Sequence, residues 1–352
     1  MTIDGLRYSG SGTVVRQAVA YSALTGKAIH VVHARAKREK PGLRPQHIRV
    51  VEAIAELVNG RADGLTQGSQ EFTFRPGSLK TGRRYSWDIG SAGSTTMLGL
   101  GLLPVLAFAG SPVTVELRGG LFQDFAPSAF HLQQVLLPIL KEMGLHAEVE
   151  VVRPGYVPRG DGILRLGMRP LSEPFQAIAK ENSGPVTRVW GIALSSHLEE
   201  RQVSCRMAEK AREVLAKAGY QAKIEIREDA TSLQRGAALA LFADKGAAIR
   251  LGADQAGALR RSAEAIGTHV AKQLLDELKS GATLDRFAAD QIIPFAALAA
   301  GESRFIIPGV TDHVLTSAWL AELFLGARLK VDGQRLLING VGFWPNEGRR
   351  TQ

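Results

Sequence analysis

From residue 35 to residue 47 the chain reads Arg-Ala-Lys-Arg-Glu-Lys-Pro-Gly-Leu-Arg-Pro-Gln-His, and five of the first ten side chains are Lys or Arg. The segment follows an apolar run, Ala28 to Val32, and precedes a helix-like run, Ile48 to Leu57. A basic loop between a strand end and a helix start is placed to bind phosphate, because the first turn of a helix carries free N–H groups that favour anions. The same pattern also suits a solvated basic loop. Two histidines are placed where an imidazole could serve a functional site. His47 opens the helix after the basic loop, and His313 lies in Gly309-Val-Thr-Asp-His-Val-Leu-Thr316 at a predicted helix start. A lone histidine also serves structural roles, and Asp312 beside it could be a simple N-cap.

Three Gly/Ser turns precede or open helices: Ser9-Gly-Ser-Gly-Thr13, Gly90-Ser-Ala-Gly-Ser94, and Gly119-Gly120 upstream of Ala126-Pro127. Each permits close backbone approach to an anion, and each is also explained by ordinary capping. A Walker A loop and a full dinucleotide fingerprint are both absent from the sequence. None of the eight histidines is paired at the i, i+4 spacing of a helical metal site. With one cysteine, Cys205, no intrachain disulfide can form, and its helix-like setting points to a packing role. The net charge of +9 favours a polyanionic partner such as nucleic acid or a phosphorylated substrate.

At 352 residues and 45% hydrophobic composition, the chain is long and apolar enough for more than one folded unit. The longest apolar run, Met97 to Gly110, contains Pro104 and is too short to span a bilayer, which needs about 20 residues. With no signal pattern at the N-terminus, a cytoplasmic location is expected.

These residues need elements to hold them, and the elements recur. Helices are predicted over Gly12–Leu24 and Gln46–Val58, with strands over Ala28–Ala34 and Glu71–Arg75. A second copy runs from Tyr85–Ile89 through a helix ending at Ala109, a strand Val113–Leu117 and a helix Ala129–Met143. It closes on strands Ala147–Val152 and Gly162–Leu166. A third copy has helices Ser262–Lys279 and Leu284–Ala300, a strand Arg304–Ile307, a helix Asp312–Phe324 and a hairpin around Asp332-Gly333. Between the last two copies the rhythm changes to a charged helix, Leu198–Ala218, among strands. The expectation is an α+β fold: three repeated βαβαββ-type modules in a large domain, residues 1–185 and 256–352, with a smaller inserted α/β domain, residues 186–255.

The order and spacing of further motifs make the chain resemble the RNA 3′-terminal phosphate cyclases over essentially its whole length. They are Ile3-Asp-Gly5, Arg35-Ala with Arg38, Lys40-Pro-Gly-Leu43 with Gln46-His47, Gly68-Ser69 with Phe74-Arg-Pro-Gly77, and Ile89-Gly-Ser-Ala-Gly-Ser94. Gly155-Tyr-Val-Pro158, Ala289-Asp-Gln291 and His313-Val-Leu-Thr316 complete the set. The resemblance implies ATP-dependent conversion of an RNA 3′-phosphate end to a 2′,3′-cyclic phosphate, with His313 as the nucleophile that carries AMP. It also implies phosphate-holding roles for Arg16, Arg35 and Arg38, places Gln46, His47, Phe287 and Asp290 near the nucleotide, and implies Mg²⁺ or Mn²⁺.

The chain departs from the family at several positions. Ser9 stands where the family carries an acid linked to metal and nucleotide, and Thr13 ends the same turn in place of glutamine. Leu100 replaces a glutamine, Phe130 an aspartate, and Phe287 a tyrosine. A noncatalytic RNA-binding or ribosome-assembly relative is therefore the alternative reading. Retention of His313 favours the enzyme.

Overall fold

The computed structural model describes residues 1–79, 82–246 and 248–345. Ala247 and the last seven residues of the expected large domain lie outside that set. The first sheet comes from β1 (Thr2–Asp4), α1 (Gly12–Thr25), β2 (Ile29–Val32), α2 (Pro45–Leu57), β3 (Arg61–Asp63) and β4 (Phe72–Arg75). The second follows from β5 (Arg84–Asp88), α3 (Thr95–Leu106), β6 (Val113–Gly119), α4 (Ala129–His131), a π-helical turn over Leu132–Leu136, α5 (Leu137–Glu142), β7 (His146–Arg153) and β8 (Gly162–Arg169). Its strand order, β5-β6-β8-β7, repeats the β1-β2-β4-β3 order of the first sheet, with one parallel pair and two antiparallel pairs in each.

A short strand, β9 (Ala179–Lys180), begins the next unit, which is interrupted by β10 (Val186–Ser196), α6 (Val203–Lys217), β11 (Ala222–Asp229), β12 (Gly236–Lys245), β13 (Ile249–Ala256) and α7 (Ala263–Lys279). It resumes with α8 (Ala288–Gln291), α9 (Ile293–Leu298), β14 (Ala300–Ile306), α10 (Asp312–Leu325), β15 (Arg328–Asp332) and β16 (Arg335–Val341). The order β9-β14-β16-β15 again has the parallel pair at one edge. Among the described residues the fold is α+β with four small mixed sheets.

Two apolar cores hold these elements. Strand β12 belongs to both: Ala237, Leu239, Leu241 and Ala243 face one core, and Ala238, Ala240 and Phe242 face the other. Its side chains alternate between faces, so a near-continuous apolar strand is buried on both sides. Helix α7, which the rhythm of the sequence assigns to the third copy, contributes Ile266, Val270 and Leu274 to the core shared with α6.

Two predicted helices are broken. The Ala129–Met143 stretch becomes α4, a π-turn and α5, with Pro138 at the start of α5. The Leu284–Ala300 stretch becomes α8 and α9, because Asp285 caps α8 and Pro294 opens α9. In the hairpin Asp332 pairs with Arg335, so the two-residue loop is Gly333-Gln334, with Gly333 at φ +60°.

Helix α1 positions the site. It starts at Ser11, whose hydroxyl accepts from Thr13 N at 3.3 Å, and stops at Gly26 in the left-handed region. From Gly12 to Leu24 every residue is buried. Its own side chains are mostly small or β-branched, and α2, α3 and α10 pack on it. Among its buried polar side chains, Arg16 and Gln17 are the longest and need partners or a task.

Candidate nucleotidyl-transfer site

Four longer helices point their N-terminal ends into one cleft of about 440 Å³: α1 through Ser11, Gly12 and Thr13, α2 through Gln46 and His47, α3 through Met97, and α10 through Thr311 and His313. Free N–H groups and helix dipoles at four such ends favour negative charge. All eight residues singled out from the sequence, Arg16, Arg35, Arg38, Gln46, His47, Phe287, Asp290 and His313, line this cleft.

His313 stands in the first turn of α10, behind the N-cap Thr311, whose hydroxyl accepts from Val314 N at 3.2 Å. Its Nδ1 lies 3.0 Å from Thr13 Oγ1 on α1. Gln17 joins the same helix pair by donating to Ser317 at 2.9 Å, and Thr316 Oγ1 donates to Ser9 Oγ, in the turn before α1, at 2.8 Å. Burial first, then the charges of Arg16 and Arg38, hold the imidazole below its ordinary pKa, against a smaller pull from Asp312. At neutral pH the ring is therefore uncharged and one ring nitrogen keeps a lone pair.

His47 is more deeply buried. Burial, with Arg35, Arg16, Arg38 and Arg44 around it, carries its pKa well below the ordinary value. Its Nδ1 accepts from Arg44 N at 3.2 Å, which makes Nε2–H the donor. A Cβ on Gly12 would meet that Nε2 at 2.2 Å, so glycine is required where α1 begins. Gln46 is partly committed as well: its Oε1 accepts from Ser94 N, the cap of α3, at 2.8 Å.

The arginines differ in their ties. Arg35 has φ +56° and donates to the carbonyls of Lys40 at 3.0 Å and Gly42 at 2.6 Å, so it shapes the basic loop while facing the cleft. Arg38 is exposed on the same wall. Arg16 is buried. Desolvation brings its pKa down to about 10, with Asp290 opposing, and the guanidinium stays charged at neutral pH. Burial pushes the Asp290 carboxyl up to about 7, although Arg16 and a 2.7 Å hydrogen bond from Gln291 pull the other way.

Several lining residues escaped the sequence reading. Arg286 faces the cleft, and its Nε donates to the fully buried carboxylate of Glu277 at the end of α7. Asp285 accepts from Phe287 N at 3.0 Å and Ala288 N at 2.9 Å, and thereby sets α8 with Phe287 and Asp290. It also pairs with His131 at 2.9 Å, both side chains being buried. Burial opposes charge on each, yet their mutual attraction carries His131 above and Asp285 below the ordinary values. Arg286 and Glu277 are only nine residues apart, whereas His131 stands 154 positions from Asp285, so only that last pairing is distant along the chain.

Of the departures from the family pattern, Thr13 and Phe287 line the cleft, whereas Ser9, Leu100 and Phe130 do not. Leu100 is buried behind Arg16, beside Gln17 and Tyr21. Phe130 is buried with its ring 4.9 Å from that of Phe122. These two substitutions act on packing behind the cleft walls.

Among the described residues no three His, Cys, Asp or Glu side chains gather as a protein metal site requires. The cleft carboxylates are otherwise engaged. Asp124 takes both Arg261 guanidinium nitrogens at 3.0 and 2.8 Å, and Asp290 holds its proton to an unusually high pH. The Mg²⁺ or Mn²⁺ that the resemblance implies thus finds no carboxylate set here. Guanidinium groups are the cations that this chain itself supplies.

An uncharged histidine among arginines lies at the meeting of four helix N-termini on an α+β frame, a setting that favours phosphate. The chain belongs to the RNA 3′-terminal phosphate cyclase family, whose pattern it matches over residues 7–331. It is 37% identical over 343 residues to the RNA 3′-terminal phosphate cyclase of Methanopyrus kandleri, covering 94% of this chain and 95% of that one. The cyclase of Pyrococcus furiosus is 35% identical over 336 residues, with 94% and 95% covered. That of Nitrosospira multiformis is 36% identical over 339 residues, with 96% and 94% covered. Among described residues, no helix is long and apolar enough to cross a membrane.

Proposed function

We propose that this chain converts the 3′-terminal phosphate of RNA to a 2′,3′-cyclic phosphate at the expense of ATP, with His313 as the nucleophile. One observation carries the reading. An imidazole with a depressed pKa, held at Nδ1 by Thr13, sits in a cleft walled by Arg16, Arg35, Arg38 and Arg286.

With Nδ1–H donating to Thr13 Oγ1, Nε2 carries the lone pair. It attacks the α-phosphorus of ATP, an N–P bond forms, and the bond to pyrophosphate breaks. The arginines and helix N-termini stabilise the charge on the phosphate oxygens. An oxygen of the RNA 3′-phosphate then displaces the histidine and takes the AMP. The adjacent 2′-hydroxyl attacks the activated terminal phosphorus, loses its proton, closes the ring and expels AMP. That step is intramolecular, so proximity contributes much of its rate. Phe287 offers a ring for the adenine, and Pro127 lines the same cleft.

The test is labelling with ATP radioactive at the α-phosphate. Acid-labile label on the wild-type chain and none on His313→Ala is expected, followed by conversion of a 3′-phosphate oligonucleotide to the cyclic product. Label that persists in His313→Ala overturns the residue assignment. Absence of both label and product on the wild-type chain overturns the activity.

A further inference from the structure

At the mouth of the cleft, the segment 123–128 carries Phe125, which is 98% exposed and has φ +65°. Both features are unfavourable in isolation. A buried phenylalanine would gain from leaving water, and a bulky residue in the left-handed region is strained. A loose loop would relax both, but this segment is tied on either side of the ring. Asp124 is gripped by the two guanidinium nitrogens of Arg261. Pro127 O accepts from Thr96 Oγ1 at 2.7 Å, and Ser128 N donates to Asp254 Oδ2 at 2.9 Å. Ala126 and Ser128 are buried, so the neighbours are anchored while the ring stands in solvent.

We propose that Phe125 is a stacking platform for a nucleobase at the 3′ end of a single-stranded RNA whose terminal phosphate enters the cleft; this rests on the function proposed above. The surroundings match that occupant. Arg35, Arg38 and Arg286 lie on the walls within, and the exposed Arg260 adjoins Arg261, the residue that clamps Asp124. Leu259, next to Arg260, is also 98% exposed. Rigid aromatic faces next to cationic side chains are how proteins hold single strands: the ring stacks on any base, and the cations follow the phosphates. The cleft interior already offers Phe287 for the adenine of ATP, which leaves the ring on the lip to the RNA.

Binding is measured by fluorescence anisotropy with a 5′-labelled single-stranded RNA decamer bearing a 3′-phosphate, and ATP affinity is measured in parallel. Stacking on one base contributes about 1–3 kcal/mol, so Phe125→Ala weakens RNA binding roughly 5- to 150-fold. Phe125→Trp restores it, and ATP affinity does not follow the loss. Equal RNA affinity of Phe125→Ala and wild type overturns the proposal. A parallel loss of ATP affinity overturns it too, by assigning the ring to the adenine. The readout needs no turnover. A wild-type chain that takes no AMP label, but whose RNA binding falls in Phe125→Ala, would end the cyclase reading and leave the lip standing.

Discussion

Replacing Asp290 by Asn tests the electrostatics of the cleft directly. The carboxyl is buried, and desolvation pushes its pKa up to about 7, against 3.8 for the same group exposed. A group whose pKa is raised by folding binds its proton more tightly in the native chain. Its stabilising contribution is fully present below the unfolded value and is lost as pH rises through the folded value. A gap of about three units corresponds to an upper limit of about 4 kcal/mol, of which about 2.5 kcal/mol falls between pH 5 and pH 8. Asparagine mimics the protonated acid and still accepts the hydrogen bond from Gln291. Urea unfolding at pH 5, 6, 7 and 8 should therefore show a stability advantage of Asp290→Asn over the wild type that widens with pH. Between pH 5 and pH 8 that advantage should grow by about 2.5 kcal/mol. Glu277, pushed up to about 6 by burial and Asp285, slopes in the same direction in both proteins and cancels from the comparison. Parallel profiles would refute the reasoning, since they would show that Asp290 is ionised at no penalty beside Arg16. A less stable Asp290→Asn at pH 8 would do so more strongly.

Thr13→Val removes the hydroxyl 3.0 Å from His313 Nδ1. The rate of AMP labelling should drop roughly tenfold, as expected for a lost hydrogen bond of about 1–1.5 kcal/mol, and Thr13→Ser should recover it. Gly12→Ala drives a methyl into the His47 ring. The urea midpoint should fall by the equivalent of about 1–3 kcal/mol, and an unchanged midpoint would show that the ring has room to move. Arg38→Ala should weaken ATP binding with no change in thermal midpoint. Arg35→Ala should weaken binding and also lower the midpoint, because the carbonyls of Lys40 and Gly42 lose their donor. Identical midpoints in the two variants would remove the structural role given to Arg35.

Much of this was legible in the linear chain. Helix α1, expected over Gly12–Leu24, forms over Gly12–Thr25. The basic loop stood out by charge density, and the later histidine by its place at a helix start. The interrupted helices were less legible, because apolar periodicity continues through a π-turn and through the short α8–α9 break. The Phe130 and Leu100 departures are visible in the linear chain, yet both side chains are buried outside the cleft lining. Sequence position alone could not separate a residue on the cleft wall from one behind it.

By itself the sequence determined the local elements, the excess of positive charge and the candidate groups for phosphoryl chemistry, because periodicity, capping and charge are properties of neighbouring residues. Tertiary structure alone decided which of these groups meet. Thr13 reaches His313 across 300 positions, Arg286 is aimed by Glu277 at the end of a helix shared with the inserted sheet, and Asp290 owes its raised pKa to burial. Such contacts depend on packing among distant segments, and a pKa depends on what surrounds a group in space. Neither is written in the order of residues along the chain.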